Sequence, residues 1–273
     1  MFENFRNDNN LCHLWPVPIA DLINFIIYLC MNGYSPSTAK TYISAIGFKM
    51  KISNFSDTTE SFLVKKLLTG MTKKYKTTDV RKPITVKVLS EMLKILPNIC
   101  LSYYEANLFA AIFSLAFFAF LRIGEIVESG KAYHVVQRKD ISLNNTNKSI
   151  KITLNTSKTD QFGKGTNLIV TNNSDDISVH SILKNYLALR PKMEGALFCH
   201  LNKKLVTRFQ VTKVLKSALH FLGYQKDDFN THSFRIGAAT HAYNLGKSDE
   251  EIMMMGRWKS NSYKKYIRSD ISL

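Results

Sequence analysis

The sequence predicts a mainly α-helical protein in two domains, the second of which also contains a small antiparallel β-sheet. Apolar residues recur at helical spacing over most of the chain, whereas residues 150–154 alternate between apolar and polar side chains, as in a half-buried strand. Residues 76–85, KTTDVRKPIT, are basic, contain a proline and lack apolar periodicity. We therefore expect a helical domain at 1–78, a linker at 79–85 and a second domain at 86–273.

The first domain is expected to contain three helices. The first runs from Pro18 to Met31, with a proline in its first turn and a glycine soon after its end. The second, SPSTAKTYISAIGFKM, opens at Ser35-Pro36. The third, residues 59–75, would be capped by Asp57 or Thr58. Its predicted apolar side consists of Phe62, Leu63, Leu67 and Leu68.

The second domain opens with a predicted helix from Val86 to Leu96, followed by a long apolar helix that ends near Gly130. The alternation at 150–154 then predicts strands, with turns at NNTN and SKTDQFGKG and a returning strand TNLIV. After Val179 the chain is expected to be helical, with breaks at RPKMEG, GYQKDD and LGKSDE. The pattern S-x-x-E that begins at Ser248 predicts a capping box for the helix EEIMMM.

The charge of the chain points to a polyanionic partner. The chain carries 37 lysines and arginines against 21 acidic residues, a net charge of +16. Residues 1–85 hold 11 basic and 6 acidic groups, so their net charge is +5 and the remainder carries +11. Because the excess is shared by both domains, we expect both to face the same polyanion, either nucleic acid or an anionic membrane.

Membrane and metal functions have little support in the sequence. The most apolar run, from Ala106 to Leu121, is 16 residues long, and a bilayer needs about 20. The N-terminus, MFENFRNDNN, does not resemble a signal peptide. The cysteines form no CxxC pair and no zinc-ligand spacing, which favours a reducing compartment and excludes a zinc site. They are Cys12, Cys30, Cys100 and Cys199.

Arg122 is the first candidate for a chemical role, because it lies where the apolar stretch FFAFL meets RIGE. Alone, it reads as a helix-end arginine whose guanidinium reaches water. The alternative is an arginine at the end of a rigid helix whose guanidinium binds a phosphate through two hydrogen bonds. Lys158 and Lys164 lie in the turn SKTDQFGKG, where either could reach a groove of DNA or remain a solvated charge.

His232 and Arg235 are three residues apart and so share one face of a predicted helix. Asn230 or Thr231 is expected to cap that helix, which would place both side chains near a helix end that favours a phosphate. A lone histidine is more often structural, and we interpret His241, which lacks such a partner, in that way.

Three aromatic residues follow in a basic segment. Trp258 comes after Gly-Arg, and an indole in this position is usually part of a core. Tyr263 and Tyr266 are again three residues apart and are flanked by lysines and an arginine. They could pack inward or stack on bases.

These residues, in this order, resemble the tyrosine recombinases, the family of phage integrases and Cre recombinase. The resemblance rests on FLRIGEI, a lysine in a β-turn, HSFR, and a late YIR whose tyrosine lies 31 residues after Arg235. HSFRIGAAT followed by GRWKSNSYKKYIR is most similar to recombinases of eukaryotic mobile elements of the Crypton and DIRS type. The resemblance covers about residues 86–270. It implies a SAM-like core-binding domain before them, although the sequence of residues 1–78 is not diagnostic.

The resemblance implies that the enzyme cleaves and rejoins DNA through a 3′-phosphotyrosine, with no cofactor and no metal. Tyr266 would be the nucleophile, and Lys158 would protonate the departing 5′ oxygen. Arg122 and Arg235 would neutralise the phosphate oxygens as charge builds in the transition state.

The remaining positions of the motif are assigned by the same resemblance. His232 would assist proton transfer from the nucleophile or donate to a phosphate oxygen. Trp258 stands where many relatives have histidine and would buttress the nucleophile. Glu125, three residues after Arg122, would orient Arg122 or His232.

The partner expected from this resemblance is double-stranded DNA, bound by a homodimer on one site and a homotetramer on paired sites. Localisation would be nuclear in a eukaryote and otherwise with the cytoplasmic DNA. Two alternatives stay open: a type IB topoisomerase-like enzyme that relaxes DNA, and a domesticated DNA-binding protein that has lost catalysis. Outside the motif, the predicted DNA contacts are Lys40, Lys73, Lys74, Arg81, Lys82, Lys164, Arg257 and Lys264.

Overall fold

The computed structural model describes residues 1–75, 79–128, 135–155, 165–171 and 177–268. The chain divides into two compact units, Met1–Asp79 and Val80–Leu273. In the described residues both units are mainly helical, and the second contains a three-stranded antiparallel sheet. The predicted fold class is therefore confirmed. None of the described helices is long and apolar enough to cross a membrane.

The first unit contains the three predicted helices and a fourth that precedes them. They are α1 (Phe2–Asp8), α2 (Ile19–Met31), α3 (Pro36–Ile52) and α4 (Phe62–Lys74). Helix α1 was not predicted, because its seven residues are mostly polar and too few to show a helical repeat of apolar residues. Phe2 and Phe5 nevertheless pack on Phe25 of α2, with ring centroids 4.9 and 5.1 Å away. The aromatic contacts bind this short helix to the core.

The predicted apolar side of α4 is wrong in part. Phe62 is 70% exposed and Leu63 is 58% exposed, whereas Val64 and Met71 are buried. The reason is the start of the helix: Asp57 caps a separate 3₁₀ turn, Thr58–Glu60, and the side chain of Ser61 caps α4 itself. The first turn of α4 therefore begins at Phe62 and presents Phe62 and Leu63 to solvent.

The sheet of the second unit matches the predicted alternation. Its strands are β1 (Ile141–Asn144), β2 (Ser149–Leu154) and β3 (Thr166–Val170), in the order β1-β2-β3. Ile152 of β2 lies opposite Ile141 of β1 and Leu168 of β3. Ile150, Ile152 and Leu154 are buried. The segment SKTDQFGKG, predicted as a turn, lies almost wholly outside the described residues, between β2 and β3.

The long apolar helix ends earlier than predicted. After α5 (Val86–Ile99), helix α6 (Tyr103–Phe118) stops well before Gly130, and a short helix α7 (Ile123–Ile126) follows. Phe120 has a left-handed backbone conformation, with φ +50°, and a right-handed helix cannot continue through it. Arg122 then occupies the N-cap of α7. The break places Arg122 at the start of a new helix and not at the end of the apolar one.

The remaining helices are α8 (Val179–Leu189), α9 (Arg208–Phe221), α10 (Ser233–Asn244) and α11 (Asp249–Gly256). The capping box at Ser248 is confirmed, since its hydroxyl accepts from Glu251 N at 3.2 Å and its own N–H donates to Glu251 Oε2 at 2.8 Å. The chain ends, within the described part, in a 3₁₀ helix at Asn261–Tyr266.

Residues 80–85, predicted as part of a linker, belong to the second unit and pack against its helix α10. Lys82 N donates to Asp228 O at 2.8 Å, and Ile84 N donates to Ser233 O at 3.1 Å. The side chain of Ile84 is fully buried. A Cβ added to Gly237 would lie 1.8 Å from the Ile84 carbonyl oxygen. Glycine at 237 therefore lets this segment lie directly on α10, the helix that carries Arg235.

Candidate active site

Arg122 and Glu125 form a compact unit at the start of α7. The Glu125 carboxylate accepts from the Arg122 backbone N–H at 2.9 Å and from Arg122 Nη1 at 3.0 Å. Glu125 is buried, whereas the Arg122 side chain keeps 24% of its surface exposed. The predicted orienting role of Glu125 toward Arg122 therefore has a geometric basis, and the guanidinium that it holds reaches solvent.

Arg235 lies on α10 and is almost completely buried. Its Nη1 donates to Phe120 O, and its Nη2 donates to Gly256 O at 2.9 Å. Its guanidinium carbon lies 4.6 Å from the ring centroid of Trp258 and 5.8 Å from that of Tyr266. The segment between α6 and α7, which carries Arg122, is thus held against Arg235 through the carbonyl of Phe120, although the two arginines are far apart in sequence.

Arg257 is placed differently from the prediction. It was expected to be a DNA contact, but its side chain is only 7% exposed and its Nη2 donates to Glu125 Oε2 at 2.8 Å. The same nitrogen lies 3.2 Å from Phe120 O. Arg257 ends α11 with a left-handed backbone, φ +56°. The backbone reversal turns this side chain into the protein, so it faces Glu125 and not the surface.

His232 occupies the N-cap of α10, whereas Asn230 or Thr231 was predicted there. The helix begins later because Asn230 Oδ1 accepts from the His232 backbone N–H at 2.8 Å and closes a local turn first. Burial lowers the pKa of His232, and the charges of four arginines lower it further. They are Arg81, Arg208, Arg235 and Arg122. Both effects favour the neutral form of His232, which lies in a strongly positive environment.

Arg208 is a site residue that the sequence analysis missed. It begins α9, is exposed, and its Nη2 lies 3.4 Å from Thr231 Oγ1, beside His232. No local pattern distinguishes it among 37 basic residues. Arg81, in contrast, was predicted as a DNA contact, and its charge acts on the same histidine.

The three aromatic residues are packed together but are not equally accessible. The ring centroid of Trp258 is 5.3 Å from that of Tyr266 and 6.2 Å from that of Tyr263. Tyr263 is fully buried, whereas Tyr266 is partly exposed. Burial and the nearby Asp249 carboxylate raise the pKa of Tyr263. The two phenols therefore lie in different environments, and Tyr266 is the one that faces Arg235.

The cluster has more positive than negative charge. Burial lowers the pKa of Arg235, and the charges of Arg122 and Arg257 lower it further, against the opposing effect of Glu125 and Tyr266. A guanidinium stays protonated at ordinary pH, so Arg122 and Arg257 repel Arg235, and Glu125 offsets only part of this repulsion. An anion placed between these side chains would relieve it. The arrangement can thus bind a phosphate beside a phenol.

The other predicted residues are dispersed. Lys158 and Lys164 lie outside the described residues. Lys82 and Lys264 are exposed and paired with Asp228 at 2.7 Å and Asp249 at 3.3 Å. The predicted DNA contacts of the first unit, Lys40, Lys73 and Lys74, are exposed. His241 packs on Phe117 at 5.9 Å, in keeping with a structural role. Within the described ranges, no group of three or more His, Cys, Asp or Glu could hold a metal ion.

Comparison with known proteins agrees with this geometry. Residues 82–271 match the model of the phage integrase family. The chain therefore belongs to the phage integrase family and is a tyrosine recombinase. Among curated proteins, none is similar enough in sequence to match.

Solved structures of low sequence identity share the fold. The XerH site-specific recombinase bound to its difH substrate is 17% identical, over 97% of this chain and 72% of that chain, with a TM-score of 0.61. The Tn1549 transposon integrase in complex with circular intermediate DNA is 13% identical, over 92% and 81%, with a TM-score of 0.61. A lambda integrase dimer bound to a core site is 14% identical, over 94% and 66%, with a TM-score of 0.61.

Proposed function

We propose that this protein is a site-specific DNA recombinase or integrase of a mobile element, of the Crypton and DIRS type. It cleaves and rejoins DNA strands through a 3′-phosphotyrosine on Tyr266. The observation that carries the proposal is the position of Tyr266, which is partly exposed and whose ring centroid lies 5.8 Å from the guanidinium carbon of the buried Arg235. Arg235 also faces the partly exposed Arg122. A nucleophile next to an excess of guanidinium charge suits attack on a phosphodiester.

The proposed reaction uses these residues together with Lys158, whose role comes from the family resemblance. The phenol oxygen of Tyr266 attacks the phosphorus and forms a new P–O bond, and its proton passes to neutral His232. Arg122 and Arg235 neutralise the non-bridging oxygens as charge builds in the pentacoordinate state. The bond to the 5′ oxygen breaks, and Lys158 donates the proton to the leaving group. Rejoining is the reverse, and the covalent bond stores the energy for it.

Tyr266 is favoured over Tyr263 as the nucleophile for two reasons. The ring of Tyr263 is fully buried, and the raised pKa of its phenol disfavours the phenolate. A reacting phosphate could not reach it without rearrangement of the Trp258 packing. Two phenols one turn apart cannot both align with one phosphorus, since a misplacement of about 1 Å costs roughly 10²-fold.

The DNA partner is supported by charge and by the relatives. The net charge of +16 and the exposed lysines of both units suit a phosphate backbone. The XerH, Tn1549 and lambda structures all contain DNA, and the lambda integrase is a dimer. We propose a homodimer on one site and a homotetramer on paired sites, acting in the nucleus of a eukaryotic host.

The test is covalent trapping on a DNA site selected from a random pool. A duplex nicked near the cleavage position should form an adduct with the wild-type chain in excess EDTA. The adduct should be absent in Tyr266→Phe and retained in Tyr263→Phe, with DNA affinity unchanged in both. The modified peptide, identified by mass spectrometry, should contain residue 266.

Other outcomes separate the alternatives. An adduct on Tyr263 would show that the nucleophile is misassigned. Relaxation of supercoiled plasmid by a monomer, without paired sites, would favour a topoisomerase-like enzyme. Tight binding without any adduct would favour a DNA-binding protein that has lost catalysis.

A further inference from the structure

We propose that Arg257 is a positioning residue for DNA cleavage: it fixes the Glu125 carboxylate, which in turn directs the Arg122 guanidinium at the phosphate. The inference rests on the proposed function of this site. Arg257 itself does not contact the phosphate in this proposal, because its side chain is buried behind Glu125.

The contacts of the carboxylate define this role. Glu125 Oε2 accepts from two donors, the backbone N–H of Arg122 at 2.9 Å and Arg257 Nη2 at 2.8 Å. Glu125 Oε1 accepts from Arg122 Nη1 at 3.0 Å. The two hydrogen bonds to Oε2 fix the plane of the carboxylate, and Oε1 then points at the Arg122 side chain. Removal of Arg257 would leave Oε2 with one hydrogen bond, so the carboxylate could rotate.

Arg257 also connects the Arg122 loop to the segment that carries the aromatic residues. It ends α11, and Trp258 follows it directly. Its Nη2 lies 3.2 Å from Phe120 O, which also accepts from Arg235 Nη1. One carbonyl of the left-handed turn therefore receives donors from both α10 and α11. Arg257 therefore fixes the position of Arg122 and Arg235 relative to the residues that surround Tyr266.

The charge of Arg257 has a second effect. Burial alone would raise the pKa of Glu125, but Arg257, the Arg122 N–H and the charges of Arg122 and Arg235 together hold it below its ordinary value. These arginines are the charged groups that face Glu125. Without Arg257 the Glu125 carboxylate would still be buried away from water, but it would lose the positive charge that most stabilises its ionised form. Its pKa should then rise, and a protonated Glu125 would no longer orient Arg122 in the same way.

The experiment measures single-turnover adduct formation by the 273-residue chain on the selected nicked duplex. We expect Arg257→Met to slow the reaction about 10- to 100-fold, with DNA affinity nearly unchanged. Glu125→Gln should slow it similarly, and the double variant should be no slower than Glu125→Gln alone, because both residues act through one contact. Arg257→Lys should recover part of the rate.

The pH profile supplies a readout that a purely structural role would not change. The acidic limb of the Arg257→Met profile should shift to higher pH, and no such shift should occur in a Glu125→Gln background. Arg190→Met is the matched control. Arg190 is another buried arginine of this unit, but its guanidinium donates to backbone carbonyls of residues 191, 193, 196 and 197. Its loss should lower thermal stability without changing the rate per folded molecule.

The inference is overturned if Arg257→Met cleaves at the wild-type rate, or if its rate loss only follows thermal stability as in Arg190→Met. Effects that multiply in the double variant would also overturn it. If Arg257→Met does not fold, the double variant decides against Glu125→Gln alone, since it removes both members of the Arg257–Glu125 pair and leaves neither charge buried without the other. Failure of the wild type to form any adduct would instead refute the proposed function.

Discussion

Each unit of the protein contains one fully buried arginine over an aromatic ring, and the two differ in their surroundings. Arg6 in the first unit lies 4.5 Å from the ring of Phe2 and faces two carboxylates, Glu3 at 4.0 Å and Asp21 at 3.7 Å. Arg235 in the second unit lies 4.6 Å from the ring of Trp258 and faces other arginines. The charge of Arg6 is paired with carboxylates, whereas around Arg235 the effect of Glu125 is outweighed by that of Arg122 and Arg257.

The difference is the one expected between a structural charge, Arg6, and the proposed catalytic charge, Arg235. Burial of an arginine costs free energy unless the charge is paired. Arg6 meets that requirement with acidic neighbours and with the carbonyl of Leu14 at 2.9 Å. Hydrogen bonding does not separate the two arginines, since Arg6 leaves Nε and Nη1, and Arg235 leaves Nε, without a hydrogen-bond partner among the described residues. The difference lies in the neighbouring charges: Arg235 donates to two carbonyls and is surrounded by an excess of arginines, which a bound phosphate would balance.

The largest expected effect is a loss of DNA cleavage when Arg235 is replaced by a neutral residue. The corresponding replacement of Arg6 should affect stability instead. Arg235→Ala should reduce DNA cleavage by roughly 10³-fold or more, because it removes charge from the transition state, while most DNA affinity remains. Arg6→Met should leave cleavage per folded molecule unchanged and lower the stability of the first unit by about 2 to 4 kcal/mol. Adduct formation and thermal melting distinguish the two, and near-normal cleavage by Arg235→Ala would remove the contrast.

A smaller effect is expected from a simple anion. Sulfate at about ten times its Kd should stabilise the folded protein by about 1.4 kcal/mol, since it relieves the repulsion around Arg235. Arg122→Met should lose this increment, whereas Arg6→Met should keep it. Thermal shifts in sulfate, compared with chloride at equal ionic strength, measure it. An equal sulfate effect in all three proteins would indicate general salt stabilisation only.

The smallest effect concerns the titration of His232. Its pKa is lowered by burial and by arginine charges, so sulfate should raise it. His241 is the control, because burial alone lowers its pKa. Both histidines have folded pKa values below 6.5, so the stability that they contribute is present above that pH and lost as the pH falls. Histidine NMR titrations test this, and equal movement of both signals would contradict it.

The sequence predicted those parts of the fold that depend on local patterns. The alternation at 150–154 and the capping box at Ser248 reappear in the structure, because pleat and cap geometry are set by neighbouring residues. The break after Phe118 was missed, since FFAFL is apolar enough to continue a helix. What ends α6 is the left-handed turn at Phe120, whose carbonyl is held by arginines from α10 and α11.

The candidate site was predicted only in part for a similar reason. The motif order identified Arg122, Arg235, Trp258 and Tyr266, which the structure brings together. Arg208 and the inward position of Arg257 were not foreseen. Their partners, Thr231 and Glu125, lie 23 and 132 residues away along the chain. Contacts of that separation leave no periodicity in a single sequence.

The same separations have a consequence for folding. The bonds that close the Phe120 turn join residues 115 and 137 apart, so each requires closure of a long loop. Contacts of this kind form late and slow the search for the native state. During synthesis, Glu125 must wait for Arg257 to emerge before it can be buried as a pair. We therefore expect the phosphate site to be among the last regions of the second unit to mature, after α6 and the sheet have formed.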